Sequence, residues 1–225
     1  LWQHYFPNSH AAGCDQSLDV DTRNPAFERD FPAHLRKILY LRGAGRYVSK
    51  GNYNIGRLGY LARLFPDARF IIPIRAPLDH VASLVRQHEL FCRYAEEDPR
   101  VPQYLASAGH YEFGPQRQAI CLDSASCGKA EALWAAEGDA VGYAWQWAHV
   151  YGALARQLSE DPQLARQVLM VRYEDLCADP DAVLARVLAH AELGDPDSRV
   201  AAFAKTLSLS DAALPPAVLA QAGRI

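Results

Sequence analysis

Two rhythms of apolar residues run along the chain. Short continuous runs predict strands at residues 46–50 (RYVSK), 69–74 (RFIIPI) and 168–173 (VLMVRY). Helical spacing appears in residues 33–42 through Leu35, Ile38 and Leu39. It recurs from Ile55 to Phe65, with Asn54 as the expected N-cap. A further helix is predicted from Pro77, with Leu78, Val81, Leu84 and Val85 on one face and proline at the first helical position. A long aromatic-rich helix is predicted over residues 138–160, with Trp145, Trp147 and Tyr151 divided between core packing and a pocket wall, and at least two of the three assigned to core. Another helix follows the Asp179-Pro180 cap, through Val183, Leu184, Val187 and Leu188.

Elsewhere the pattern is weaker. Residues 1–32 are rich in Asn, Asp, Pro and aromatics and predict irregular structure. Residues 93–138 contain Pro99, Pro102 and Pro115 and read as an insertion. The alanine-rich tail predicts helix. The strand–helix–strand–helix order with short connections predicts an α/β class: a parallel sheet covered by helices, in one domain spanning residues 1–225. Pro73 argues against a central place for its strand, because proline has no N–H to give the ladder.

Composition narrows the function classes. Half of the residues are hydrophobic and the net charge is −3, which gives neither the signature of disorder nor the basic footprint of a nucleic-acid binder. No apolar run approaches the length of a membrane span. The cysteines at 14, 92, 121, 127 and 177 are odd in number and lack a CxxC pair. That spacing predicts no zinc site and no disulfide framework, and points to a reducing, cytoplasmic compartment. The opening LWQHYFPNSH has no start-of-domain character, so the chain is expected to begin inside a larger reading frame.

In open parallel sheets, ligands bind beyond the carboxyl ends of the strands. Three predicted strands end there in polar residues: Lys50, Arg75 and the run Arg172-Tyr173-Glu174-Asp175. Each precedes a helix whose first N–H groups would face an anion. Every one of these residues has a plain alternative. Arg75 can be a salt-bridged strand end, Lys50 a surface lysine, Ser83 a small residue at a packing boundary and YED a turn. Their joint placement is what suggests a phosphate or sulfate site.

These stretches resemble the sulfotransferases that use 3′-phosphoadenosine-5′-phosphosulfate (PAPS), in particular the bacterial-type sulfotransferase domain. LARLFPDARFIIPIRAPLDHVASLVRQ is similar to a family segment in which an arginine, and a serine eight residues later, hold the 3′-phosphate. The resemblance assigns those roles to Arg75 and Ser83. VLMVRYEDLCADPDAVLARVLAHAEL resembles the family's YEDL segment, whose tyrosine lies against adenine, and so implies Tyr173. RYVSKGN resembles the lysine motif that assists departure of the phosphate, and so implies catalytic Lys50. The likeness covers residues 33–92 and 140–193 and implies a P-loop NTPase-like fold with PAPS as co-substrate and no metal. The acceptor would be a hydroxyl or amine of a small molecule, glycan or peptide. A non-catalytic anion-binding module of the same fold and a related nucleotide kinase are the alternative readings. Nothing in the pattern specifies the acceptor or an oligomeric state.

Two family features have no counterpart. The glycine/serine-rich phosphate loop is absent from residues 1–45, and is expected to precede Leu1; Gly223-Arg224 lies too near the end to supply the family's C-terminal glycine-rich loop. The family histidine two residues after the lysine is Asn52 here, and an amide cannot take a proton. His4, His80, His88, His110, Asp79 and Glu112 are candidates for a base by count alone.

Overall fold

A computed structural model describes residues 1–194 and Thr206 of the chain. The predicted tail helix, with Gly223 and Arg224, falls outside the described residues. The described part is α/β in class but mostly helical, and its sheet has two strands. Strand β1 (Phe70–Ile74) and strand β2 (Val168–Arg172) pair in parallel, with Phe70 opposite Val168 and Ile74 opposite Arg172. Tyr151 Oη donates to the Pro73 carbonyl at 3.0 Å.

The predicted strand at residues 46–50 does not form. All five residues are exposed, including Val48 at 81%. An extended segment becomes a strand only where a neighbouring backbone pairs with it and one face is buried. Neither condition is met among the described residues.

The N-terminal region is more ordered in the structure than its pattern suggests. Helix α1 (Trp2–Tyr5) leads through a 3₁₀ turn, Pro7–His10, towards helix α2 (Pro25–Arg42). The Asn24 side chain caps α2 by accepting from the Phe27 N–H at 3.0 Å. Pro32 sits inside the helix, and Phe27 and Phe31, one turn apart, stack on each other before it. Trp2, Phe6, Phe27, Phe31 and Tyr60 form one aromatic cluster, with Phe27 and Tyr60 fully buried. Aromatics held by ring-to-ring contact need no sequence period, so that cluster was invisible to a periodicity argument. Helix α3 (Leu58–Leu64) starts later than expected. Asn54 lies instead within the 3₁₀ turn Asn52–Arg57 that precedes it.

The stretch read as an insertion is built mainly from helices. Helix α4 (Pro77–Glu97) runs into it, followed by α5 (Arg100–Ala108), a loop, and α6 (Lys129–Glu137). Helix α7 (Asp139–Glu160) matches the predicted long helix and packs against α4 and α6. Val81, Ala82 and Val85 of α4 meet Ala130 and Trp134 of α6 and Ala140, Tyr143 and Ala144 of α7. A second core lies under the sheet: Leu58, Ile72, Leu154 and Leu164, the last from α8 (Pro162–Gln167). Trp145 packs on the first core and Tyr151 on the second; Trp147 is half-buried. Beyond β2 lie α9 (Tyr173–Ala178) and α10 (Pro180–His190), the latter capped by the Asp179 side chain accepting from Ala182 N–H.

The cysteine expectation is corrected in one place. Cys121 and Cys127 form a disulfide, while Cys14, Cys92 and Cys177 are free. The spacing gave no clue because the loop between them turns back through Asp123, whose carboxylate accepts from Ser126 N–H and Oγ. With that bridge present, cysteine usage no longer argues for a reducing compartment. No helix among the described residues is long and apolar enough to cross a membrane.

Candidate functional site

The parallel register builds the first site. Because Ile74 stands opposite Arg172, the next residues, Arg75 and Tyr173, emerge side by side at the carboxyl edge of the sheet. Arg75 Cζ lies 5.1 Å from the centroid of the Tyr173 ring, a cation–π contact. Arg75 is half-buried, and its Nε is buried without a hydrogen-bond partner.

Helices α4 and α9 both begin at this edge. The Ala76 N–H, at the cap of α4, donates to Glu174 Oε1 at 2.7 Å. This hydrogen bond, aided by the charges of Arg172 and Arg75, holds the Glu174 carboxyl below the usual carboxylate range. Glu174 therefore ties the start of α4 to the start of α9 and spends one oxygen on a backbone donor. Within the YED run the sequence gives Glu174 no role of its own. Only the parallel pairing brings it to Ala76. The Tyr173 phenol is raised chiefly by its hydrogen bond with Cys177.

Ser83 lies on α4, half-buried, on the helical row that contains Ala76 and His80. At 1.5 Å per residue it sits about 9 Å beyond Pro77 along the axis. No hydrogen bond links it to Arg75 among the described residues. His80 comes between them in sequence, its imidazole pushed down by burial and by the charge of Arg75. Lys50 is exposed on the irregular stretch before Asn52, and no hydrogen bond or ion pair joins it to Arg75, Ser83 or Tyr173 among the described residues. The structure thus brings together Arg75 and Tyr173, keeps Ser83 on the helix that starts beside them, and leaves Lys50 on a separate loop.

That loop leads to a second polar cluster. Asn52 Nδ2 donates to Glu112 Oε1, across a sequence separation of 60 residues. Glu112 is buried, and its Oε2 has no hydrogen-bond partner; His110 Nδ1 lies 3.4 Å from it. Tyr143 Oη donates to the Glu112 carbonyl at 2.9 Å and pins the loop to α7. Next along, Tyr53 lies against His10 with ring centroids 4.1 Å apart and the planes tilted by 31°. The Tyr53 hydroxyl and His10 Nδ1 are both buried and unpartnered. Arg57, almost fully buried, donates from Nη2 to the Ser9 carbonyl at 2.6 Å and lies over the Trp2 ring. A cleft of about 380 Å³ opens over Tyr5, Phe6, Ser9, Asp15 and Gln16, and none of the sequence-predicted site residues lines it.

Burial, and then the Arg57 charge, push the His10 imidazole down to about 4. His80, His88 and His149 are lowered in the same sense, each mainly by burial. A histidine lowered on folding binds its proton more readily in the unfolded chain. Its contribution to stability is present above the ordinary histidine range and is lost as pH falls from there towards the folded value. Melting temperature is expected to drop between pH 7 and pH 4.5, and His10→Gln is expected to reduce that drop. A pH dependence identical in wild type and variant would refute the His10 part.

No protein-family model, no curated protein and no solved structure matches the chain.

Proposed function

We propose that the chain is a sulfotransferase domain of P-loop-related fold, which binds PAPS at the carboxyl edge of its sheet and transfers the sulfuryl group to a hydroxyl or amine. One observation carries the reading: the half-buried Arg75 guanidinium stands against Tyr173 at that edge, with its Nε unpartnered. A partly buried guanidinium with an unpartnered donor is suited to a phosphate, since its planar fork gives bidentate, permanently charged recognition. Glu174 lies nearby, but its Oε1 is engaged by Ala76 N–H.

In this reading Arg75 holds the 3′-phosphate and Ser83 adds a hydroxyl donor from α4, the helix that starts just after Arg75. The ring of Tyr173 packs against the adenine. Lys50 offsets the charge that develops on the departing phosphate. The nucleotide supplies an activated sulfuryl group, and the protein's share is positioning and charge stabilisation. A second reading, an anion-binding module without transfer, is favoured by the exposed, unpaired stretch that carries Lys50.

Calorimetric titration with 3′,5′-adenosine bisphosphate and with ATP tests the nucleotide assignment. The bisphosphate is expected to bind at least about tenfold more tightly, a difference of about 1.4 kcal/mol. Equal affinity, or no binding of either, would overturn the proposal. Transfer of labelled sulfate from PAPS then separates enzyme from binding module.

A further inference from the structure

We propose that Glu112 is the proton acceptor of the transfer, and that Asn52, Tyr53, His10 and His110 surround the place where the acceptor's hydroxyl or amine is received. The inference rests on the sulfotransferase reading. Asn52 stands where the resemblance expects a base, and an amide cannot act as one. It can, however, orient one: Asn52 Nδ2 donates to Glu112 Oε1 and leaves Oε2 without a hydrogen bond, with His110 Nδ1 3.4 Å away. The carboxylate is thereby held against the loop that carries Lys50, two residues upstream.

The polar atoms around it support a ligand role. Glu112 Oε2, the Tyr53 hydroxyl and His10 Nδ1 are all buried without a hydrogen bond, and Oε2 has His110 as a neighbour. Each such atom costs roughly 1–3 kcal/mol when left unpaired. Buried polar groups are as a rule hydrogen-bonded, and a substrate hydroxyl or amine received here would supply the bonds these three lack. Support from behind is firm: Tyr143 Oη, on the buried face of α7, holds the Glu112 carbonyl. The Tyr53 ring belongs to an apolar cluster with Ile120 and Val150, against which Tyr111 and Leu122 pack. A buried carboxylate selects a neutral or cationic head group and disfavours an anionic one.

The step balances with a nucleotide phosphosulfate as donor. The acceptor oxygen or nitrogen forms a bond to sulfur and gives its proton to Glu112 Oε2. The bond from sulfur to the bridging phosphate oxygen breaks, and its electron pair stays on that oxygen, beside Lys50. His110, its side chain 44% exposed and its Nδ1 3.4 Å from Oε2, carries the proton out to solvent.

Glu112→Gln keeps the shape and the Asn52 contact but removes the basic oxygen. Three quantities are measured on the full chain: transfer from labelled PAPS to p-nitrophenol or ethanolamine, affinity for 3′,5′-adenosine bisphosphate, and melting temperature. The variant is expected to lose at least about a hundredfold in kcat, within the usual range for a general base. Bisphosphate affinity and melting temperature should stay at wild-type values or above. Transfer within about threefold of wild type would overturn the role of Glu112 while leaving the sulfotransferase reading intact. Lost bisphosphate binding together with a lower melting temperature would make Glu112 a structural residue and overturn it as well. A wild-type chain that neither binds the bisphosphate nor transfers sulfate would overturn both.

Discussion

Arg75→Ala is expected to weaken binding of 3′,5′-adenosine bisphosphate roughly a hundredfold, about 3 kcal/mol, while leaving the protein folded. The size follows from a charged, bidentate contact made in a partly desolvated place, where its removal would leave a phosphate with no countercharge. The small effect on folding has a separate reason. In the structure the Arg75 guanidinium contributes a cation–π contact with Tyr173, and its Nε has no partner to lose. That contact is worth only about 1 kcal/mol. Affinity should therefore collapse while the melting temperature moves little. Arg75→Lys is expected to recover only part of the affinity, because an ammonium offers a point charge and no fork. A change below about threefold in the alanine variant, with the fold intact by circular dichroism, would remove Arg75 from any anion site.

Gly142→Ala is expected to destabilise the domain by about 3 kcal/mol, although alanine is the better helix former by about 1 kcal/mol. Gly142 lies in α7 where α6 crosses it. A Cβ there would stand 2.2 Å from Trp134 Cδ1 and 2.5 Å from its Nε1. The indole has little freedom to yield. It is 8% exposed, packs edge-on against Tyr143 at 5.2 Å, and carries Arg117 over its face at 4.3 Å. Relief must come from separating two helices that share the main core, and such overpacking outweighs propensity. The melting temperature should fall by roughly 6–12 °C in a domain of this size. Gly152→Ala on the same helix is the control. Its Cβ would meet only the Arg156 side chain, at 3.6 Å, so a small stabilisation is expected. Equal melting temperatures for the two variants would show that the contact of α6 with α7 is not as described.

Glu112 shows why part of the site could not be read from the chain. It has no motif around it and belongs to a loop between helices, and sequence reading placed it among several candidates by count. Its partner Asn52 is 60 residues away. The shared edge position of Arg75 and Tyr173 was legible because each ends or follows a short apolar run that reads as a strand of a parallel sheet. Glu174 lay in the same quoted motif, yet its bond to Ala76 depends on a register that neither strand contains alone.

Local pattern alone gave the α/β class, strands at 69–74 and 168–173 and long helices from Pro77 and residue 138, which the structure forms at Phe70–Ile74, Val168–Arg172, Pro77–Glu97 and Asp139–Glu160. Those features arise from apolar periodicity among residues close in sequence, so neighbouring side chains suffice to specify them. Tertiary structure decided the rest. It left residues 46–50 unpaired, because a strand needs a partner backbone as well as a β-prone composition. It ordered the N-terminal aromatics into a core and joined Cys121 to Cys127. It also set Arg75 against Tyr173 and Glu112 against Asn52, contacts between segments far apart in sequence, whose geometry exists only once the chain has closed on itself.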